Sequence, residues 1–196
     1  MKLAASLAAS LALGLIAPAG AADSFQFDPS HTQILFEYDH LGFSTTQGTF
    51  TDWQGTLSVD EAEPANSRLS VTIVADSLHT GWADRDAHLR SADFFDVATY
   101  PTVTFASTAV ERTGDETLTV AGEMTIRGTT QPVVFAVEVN GLADHPMTGV
   151  RTLGFTATTQ VSRSAFGLGL FAPAVGDAVT IRVSGEATLA ETDRDS

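Results

Sequence analysis

The side chains best equipped for chemistry are crowded into one stretch, residues 81–101, which reads GWADRDAHLRSADFFDVATYP. Carboxylates at Asp84, Asp86, Asp93 and Asp96, guanidinium groups at Arg85 and Arg90, and the imidazole of His88 could serve acid–base catalysis, anion binding or metal ligation. Each of those chemistries needs partners at set spacings. The five histidines, His31, His40, His79, His88 and His145, show no paired ligand spacing and no HExxH. The four aspartates lack the ordered spacing and the glycine of an EF-hand loop. There is no GxSxG elbow, and with Lys2 as the only lysine no Ser-x-x-Lys site. An Asp-His-Ser triad assembled in space stays open, Ser91 and Ser164 being serines that sit near charge. Gly167-Leu168-Gly169-Leu170-Phe171-Ala172 matches the dinucleotide fingerprint letter for letter, yet Pro173 and Gly176-Asp177 follow where a helix should start. That string reads better as an apolar loop over a barrel mouth. No metal and no cofactor is expected.

The elements that must hold these groups are mostly strands. Ile34, Phe36 and Tyr38 share one parity, as do Leu69, Val71, Ile73 and Ala75, then Val103, Phe105 and Ser107. Leu118, Val120, Gly122, Met124 and Ile126 form another row, followed by Val133, Phe135, Val137 and Val139. Leu153, Phe155, Ala157, Thr159 and Val161 precede a last row from Val179 to Leu189. Period-two alternation at this density predicts antiparallel sheet with one face on a core. Thr113-Gly114-Asp115 and Arg127-Gly128-Thr129-Thr130 read as hairpin turns, and Asn140-Gly141 reads as the opening of another connection. With a strand across residues 47–59, the count is about eight, which predicts an all-β, eight-stranded antiparallel up-and-down barrel. Within the irregular stretch, residues 83–91 predict one short helix. Thr80 is placed to cap it, with Asp84–His88 and Asp86–Arg90 as pairs four residues apart.

Composition narrows the function classes. Residues 1–22 read as a cleaved signal peptide: Met1-Lys2, an apolar run over 3–16, Pro18, then small residues through Ala22. That leaves a single domain at 23–190 and a polar tail at 191–196. The chain has no cysteine, which excludes disulfides, thiol nucleophiles and thiolate metal sites. Its formal net charge is −14; without Lys2 it is about −15, nine arginines against 24 acidic residues. Such a surface excludes nucleic acid as a partner and opposes lasting adhesion to anionic lipid.

Aromatic material remains in excess, with twelve phenylalanines and two tryptophans. Phe43, Trp82, Phe94, Phe95, Phe166 and Phe171 lie outside the alternating rows or at their ends, where they suit a barrel mouth. Phe36, Trp53, Phe105, Met124, Phe135 and Phe155 are expected to continue that surface inward. Together they describe an apolar tunnel able to enclose an apolar ligand.

Several strings, taken in order, resemble one family. Asp28-Pro29-Ser30-His31-Thr32 and His40-Leu41-Gly42-Phe43-Ser44 are similar to the opening signatures of YceI-like periplasmic polyisoprenoid-binding proteins. Arg85 to Leu89, Asp93-Phe94-Phe95-Asp96, Tyr100-Pro101 and Phe105 resemble that family's most distinctive block. Gly122 to Gly128 with Pro132, Ser162-Arg163-Ser164-Ala165-Phe166-Gly167 and Val175-Gly176-Asp177 complete the resemblance. It implies a lipocalin-like barrel in the periplasm that binds an isoprenoid lipid, of quinone or polyprenyl phosphate type, without catalysis. It also implies brief membrane contact for cargo exchange and leaves a homodimer open. A hydrolase or isomerase acting on a small apolar substrate, and a ligand-free structural envelope stress protein, are the alternatives. Arg85, Asp86, His88 and Arg163 are expected either to meet a headgroup or to brace the 81–101 segment, Arg85 being best suited to a phosphate or quinone oxygen.

Overall fold

The computed structural model describes residues 22–191. The signal peptide expected at 1–22, except Ala22, and the tail beyond Glu191 lie outside the described residues. The alternating rows become β1 (Asp23–Phe27), β2 (Gln33–His40), β3 (Ser44–Phe50), β4 (Trp53–Val59), β5 (Arg68–Val74) and β6 (Leu78–His79). After the helix α1 (Ala83–Arg90) come β7 (Thr102–Arg112), β8 (Thr117–Ile126), β9 (Thr129–Asp144), β10 (Arg151–Ser162) and β11 (Val175–Leu189). All pairings are antiparallel, and each strand pairs with the next around a ring closed by β1 and β2 on β11.

Eleven strands make eight staves, because three staves are broken. β1 and β2 pair with successive parts of β11, so they form one stave interrupted at residues 28–32. Asp28 makes that interruption, accepting from the backbone N–H (2.8 Å) and hydroxyl (2.6 Å) of Ser30. β3 and β4 form the second broken stave, and β5 and β6 the third. Their breaks lie side by side: Thr51 N–H donates to Ser77 O, and Val74 N–H donates to Asp52 O. The expected strand over 47–59 is therefore split at residues 51–52.

The wall is incomplete at one end. β5 follows β7 as far as the pair Val74–Thr102, and Ala75 N–H then donates to Pro101 O. Beyond that point β6 is paired with β3 alone among the described residues. Residues 80–101, with α1, fill the gap as a flap. Asn140-Gly141 is not a connection, contrary to the sequence reading. β9 runs through it, and Asn140 is the extra residue of a β-bulge opposite Gly154 and Phe155. The chain turns at residues 145–150 instead, where His145 N–H donates to Val150 O.

The barrel lumen stays open through a repeated packing device. Phe36 lies over Gly48, Phe27 over Gly55, Phe105 over Gly122 and Phe155 over Gly185, each glycine being on a neighbouring strand. A β-carbon at Gly55 or Gly185 would come within 2.9 Å of the ring above it. Each ring thus occupies the place of a missing side chain and lies along the wall. Rings then meet edge-on, Phe27 with Trp53 at 5.5 Å and Phe105 with Phe135 at 5.2 Å between centroids. Gly122→Val, which would collide with the Phe105 ring and the Ala106 carbonyl, is expected to lower unfolding free energy by about 1–3 kcal/mol in urea titrations. Gly141→Ala, with open space around it, should change stability by less than about 0.5 kcal/mol.

Candidate functional site

The lumen holds one large cavity of about 990 Å³, walled mainly by apolar side chains. It extends from the flap, at Trp82, Arg85 and His88, to the opposite end of the barrel at Glu61, Arg112 and Glu116. Strand parity explains the wall. The inward rows of β2, β5, β7, β8, β9, β10 and β11 send Phe36, Ile73, Phe105, Met124, Phe135, Phe155 and Ile181 into it. Trp53, at the start of β4, joins them.

Among the residues picked out from sequence, Phe36, Trp53, Trp82, Phe94, Phe95, Phe105, Met124, Phe135, Phe155, Phe166 and Phe171 all line this cavity. Phe43 does not. It stands 90% exposed at the β2–β3 turn, where Leu41 and Gly42 both adopt positive φ and turn the chain so that its ring faces outward. At the mouth, Phe94 packs between His88 (centroids 5.0 Å) and Phe171 (6.5 Å), joining the flap to the β10–β11 loop.

The charged residues of the flap divide into braces and one donor. Asp86 is buried and does not face the cavity. Its carboxylate accepts from the Thr80 N–H (2.8 Å) and hydroxyl (2.5 Å), and Oδ2 lies 3.1 Å from His79 Nδ1. Burial pushes this carboxyl up, but the bonds from Thr80 and His79 outweigh it and hold the group below its ordinary value of 3.8. The pairs expected along the helix are therefore replaced. Arg90 reaches past the helix to the Asp76 carboxylate (3.0 Å) and to the carbonyls of Asp76 and Leu78. His88 meets Asp93 at 3.3 Å rather than Asp84. Trp82, not Thr80, occupies the N-cap position, with no side-chain cap. Spacing along a helix could not reveal this, because Thr80, His79 and Asp76 precede it in the chain.

Arg163 lines the cavity, yet all three nitrogens of its guanidinium are bonded to backbone. It donates to the carbonyls of Gly176 (2.8 Å), Val175 (2.8 Å), Leu170 (2.9 Å) and Leu168. Asp177 ties the same loop from the other side, accepting from Ser164 N–H and Oγ at 2.9 Å and from Ser162 Oγ. The glycine-rich string from Gly167 to Ala172 thus follows the 3-10 turn Arg163–Phe166 and leads into β11. No helix follows it, so it offers no dinucleotide cradle. Arg127, which in the sequence marks only a hairpin turn, binds the Gly167 carbonyl (2.9 Å) and the Ala92 carbonyl (2.8 Å), linking loop and flap. Arg85 differs from these. Its Nε and Nη2 donate to the hydroxyl and carbonyl of Thr80 (both 2.7 Å), and its guanidinium carbon lies 5.8 Å from the Trp82 ring centre. Nη1 has no hydrogen-bond acceptor among the described residues and stands at the cavity mouth.

Asp28, Ser30 and His31 cluster at the β1–β2 break, but Asp28 Oδ2 (2.7 Å) and Ser30 Oγ (3.1 Å) both meet the same Nδ1 of His31. A relay uses opposite ring nitrogens, so this arrangement only pairs charges. The bonds from Ser30 and His31 lower Asp28 to about 2, and the Asp28 bond raises His31.

A closed eight-stranded barrel around a long apolar cavity, with aromatic and charged side chains at a mouth under a braced flap, defines a ligand-enclosing barrel. The chain belongs to the YceI-like family, whose model, a YceI-like domain, matches residues 25–187. It is 43% identical over 138 residues to a UPF0312 protein of Pseudomonas savastanoi pv. phaseolicola, covering 70% of this chain and 71% of the relative. The crystal structure of Burkholderia cenocepacia BcnA superposes with a TM-score of 0.75 at 26% identity, covering 83% of this chain and 99% of the other. A polyisoprenoid binding domain from Saccharophagus degradans, implicated in plant cell wall breakdown, gives 0.64 at 11% identity, over 86% and 99% of the two chains. That last likeness bears on the fold alone.

The Asp86 brace is open to test. Asp86→Ala removes the shared acceptor of the part-buried Thr80 N–H and hydroxyl and should lower stability by about 1–3 kcal/mol at pH 7. Because the folded carboxyl lies below 3.8, its stabilising share is complete above that pH and is lost as pH falls through the lower folded value. The gap between wild type and variant in thermal melts should therefore close only in acid.

Proposed function

We propose that this protein is an exported, non-catalytic binder that encloses the tail of an isoprenoid lipid, of quinone or polyprenyl phosphate type, inside its barrel. One observation carries the reading: an apolar cavity of about 990 Å³ that runs the length of the barrel. Each five-carbon unit buried there contributes roughly 3–4 kcal/mol before ordering costs. Affinity then resides in the tail, and the headgroup stays at the flap, where Arg85 offers a charged donor to a phosphate or quinone oxygen. Export to the periplasm rests on the leader pattern of residues 1–22.

Loading takes place at the flap end. Leu41, Phe43, Trp82, Leu170 and Phe171 are exposed around that mouth, and Trp82 and Phe171 also line the cavity. An apolar rim continuous with an apolar lumen lets a tail leave a bilayer without crossing water. The acidic chain keeps this contact brief.

Trp53 and Trp82 are the two tryptophans of the chain, so a Trp53→Phe variant reports from the mouth alone. Titration with a long-tailed quinone should quench Trp82 fluorescence to saturation at one quinone per chain. Arg85→Ala should weaken a polyprenyl phosphate about tenfold while changing the matching polyprenol far less, as loss of one charge-assisted bond requires. A quinone that leaves the fluorescence unchanged and does not partition into the protein would sink the reading.

A further inference from the structure

The end of the barrel opposite the flap is crossed by the β4–β5 connection, residues 60–67. Asp60, which is buried, ties this segment into a rigid loop. Its carboxylate accepts from Ala62 N–H (3.1 Å), Glu63 N–H (2.8 Å) and Asn66 Nδ2 (2.9 Å), while its own N–H donates to Ser67 Oγ (3.0 Å). Glu61, the next residue, is held from two distant parts of the wall. Arg112, at the end of β7, donates to its carbonyl at 3.2 Å. Arg151, at the start of β10, binds its carboxylate with two parallel bonds, Nε to Oε1 at 2.8 Å and Nη2 to Oε2 at 2.5 Å. β7 and β10 are separated around the ring by β8 and β9. A residue reached by side chains from both lies over the lumen rather than on its edge, and Glu61 does line the cavity. The Arg151 bonds hold the Glu61 carboxyl below its ordinary value, so the pair is charged at neutral pH.

We propose that residues 60–67, pinned over the lumen through Glu61, form the stop that sets the longest tail the barrel encloses. The proposal rests on the lipid-tail reading above. An apolar tail gains free energy with each methylene it buries along the wall. When its end reaches Glu61 and Arg112, a further methylene must strip water from the partly exposed Glu61–Arg151 ion pair, and that gain reverses. Glu61 and Arg151 are thus specificity-determining residues for chain length, and the flap residues are not.

The test is binding of a homologous series of quinones that differ only in the number of isoprene units, read by native mass spectrometry under competition. Wild type should take up successive homologues until affinity falls at one length. Glu61→Ala and Arg151→Ala, which break the pair from its two sides, should each raise the ratio of long-tail to short-tail affinity about tenfold. The double variant should add little to either, since both remove the same contact. Thermal melts of the three variants show whether they fold. Wild type that binds the series with no upper length, or a length limit unmoved in both folded single variants, overturns the stop while leaving the lipid-tail reading intact. Wild type that takes up no homologue of any length overturns both.

Discussion

The structure depends on how an eight-stranded barrel avoids filling itself. Inward side chains on eight staves are enough to close such a lumen. Here four phenylalanines lie flat over glycines on neighbouring strands, so large apolar rings line the wall without crossing the axis. Rings and glycines are coupled in size: a side chain at the glycine would lift the ring into the lumen. The result is a wall that is apolar and closely packed around a cavity that the protein's own side chains do not fill. The broken staves belong to the same design, since the kinks at residues 51–52 and 75–77 open the wall where the flap enters.

The flap and the loop beside it are held by charged side chains, of which Asp86 is buried and requires its partners. Asp86 satisfies Thr80 and His79, Arg163 satisfies carbonyls of the β10–β11 loop, Asp177 satisfies two serines, and Arg127 joins loop to flap. Among the described residues, no buried side-chain nitrogen or oxygen lacks a partner. Most of the charged signature residues thus fix the shape of the mouth, and Arg85 is left as its outward donor. Arg85 is still tied to the brace, since its Nε donates to the Thr80 hydroxyl that itself donates to Asp86.

Much of the fold was legible because strand parity is local. Alternating rows such as Leu118 to Ile126 and Leu153 to Val161 became staves, and residues 83–90 became the one α-helix among the described residues. The mouth aromatics Trp82, Phe94, Phe95 and Phe171 stood out because they fell outside those rows. What stayed hidden depends on contacts between distant residues. Asp86 and Arg90 look like helix partners until the chain preceding the helix is placed beside them. Asn140-Gly141 carries a turn signature, yet pairing with β10 absorbs the extra residue as a bulge. Phe43 shares its composition with the mouth residues, and only the positive φ at Leu41 and Gly42 turns it outward. Glu61 and Arg151, ninety positions apart, carry no shared pattern that could have paired them.

Whether the lumen carries an isoprenoid tail is decided by what the barrel holds when it is isolated from the cell. The most direct measurement is native mass spectrometry of the protein purified without detergent from cells that make isoprenoid quinones, followed by organic extraction and identification of the released lipid. The predicted result is one long isoprenoid per barrel, released only on unfolding or extraction. A barrel recovered empty, and still empty after incubation with vesicles containing such lipids, would contradict the account.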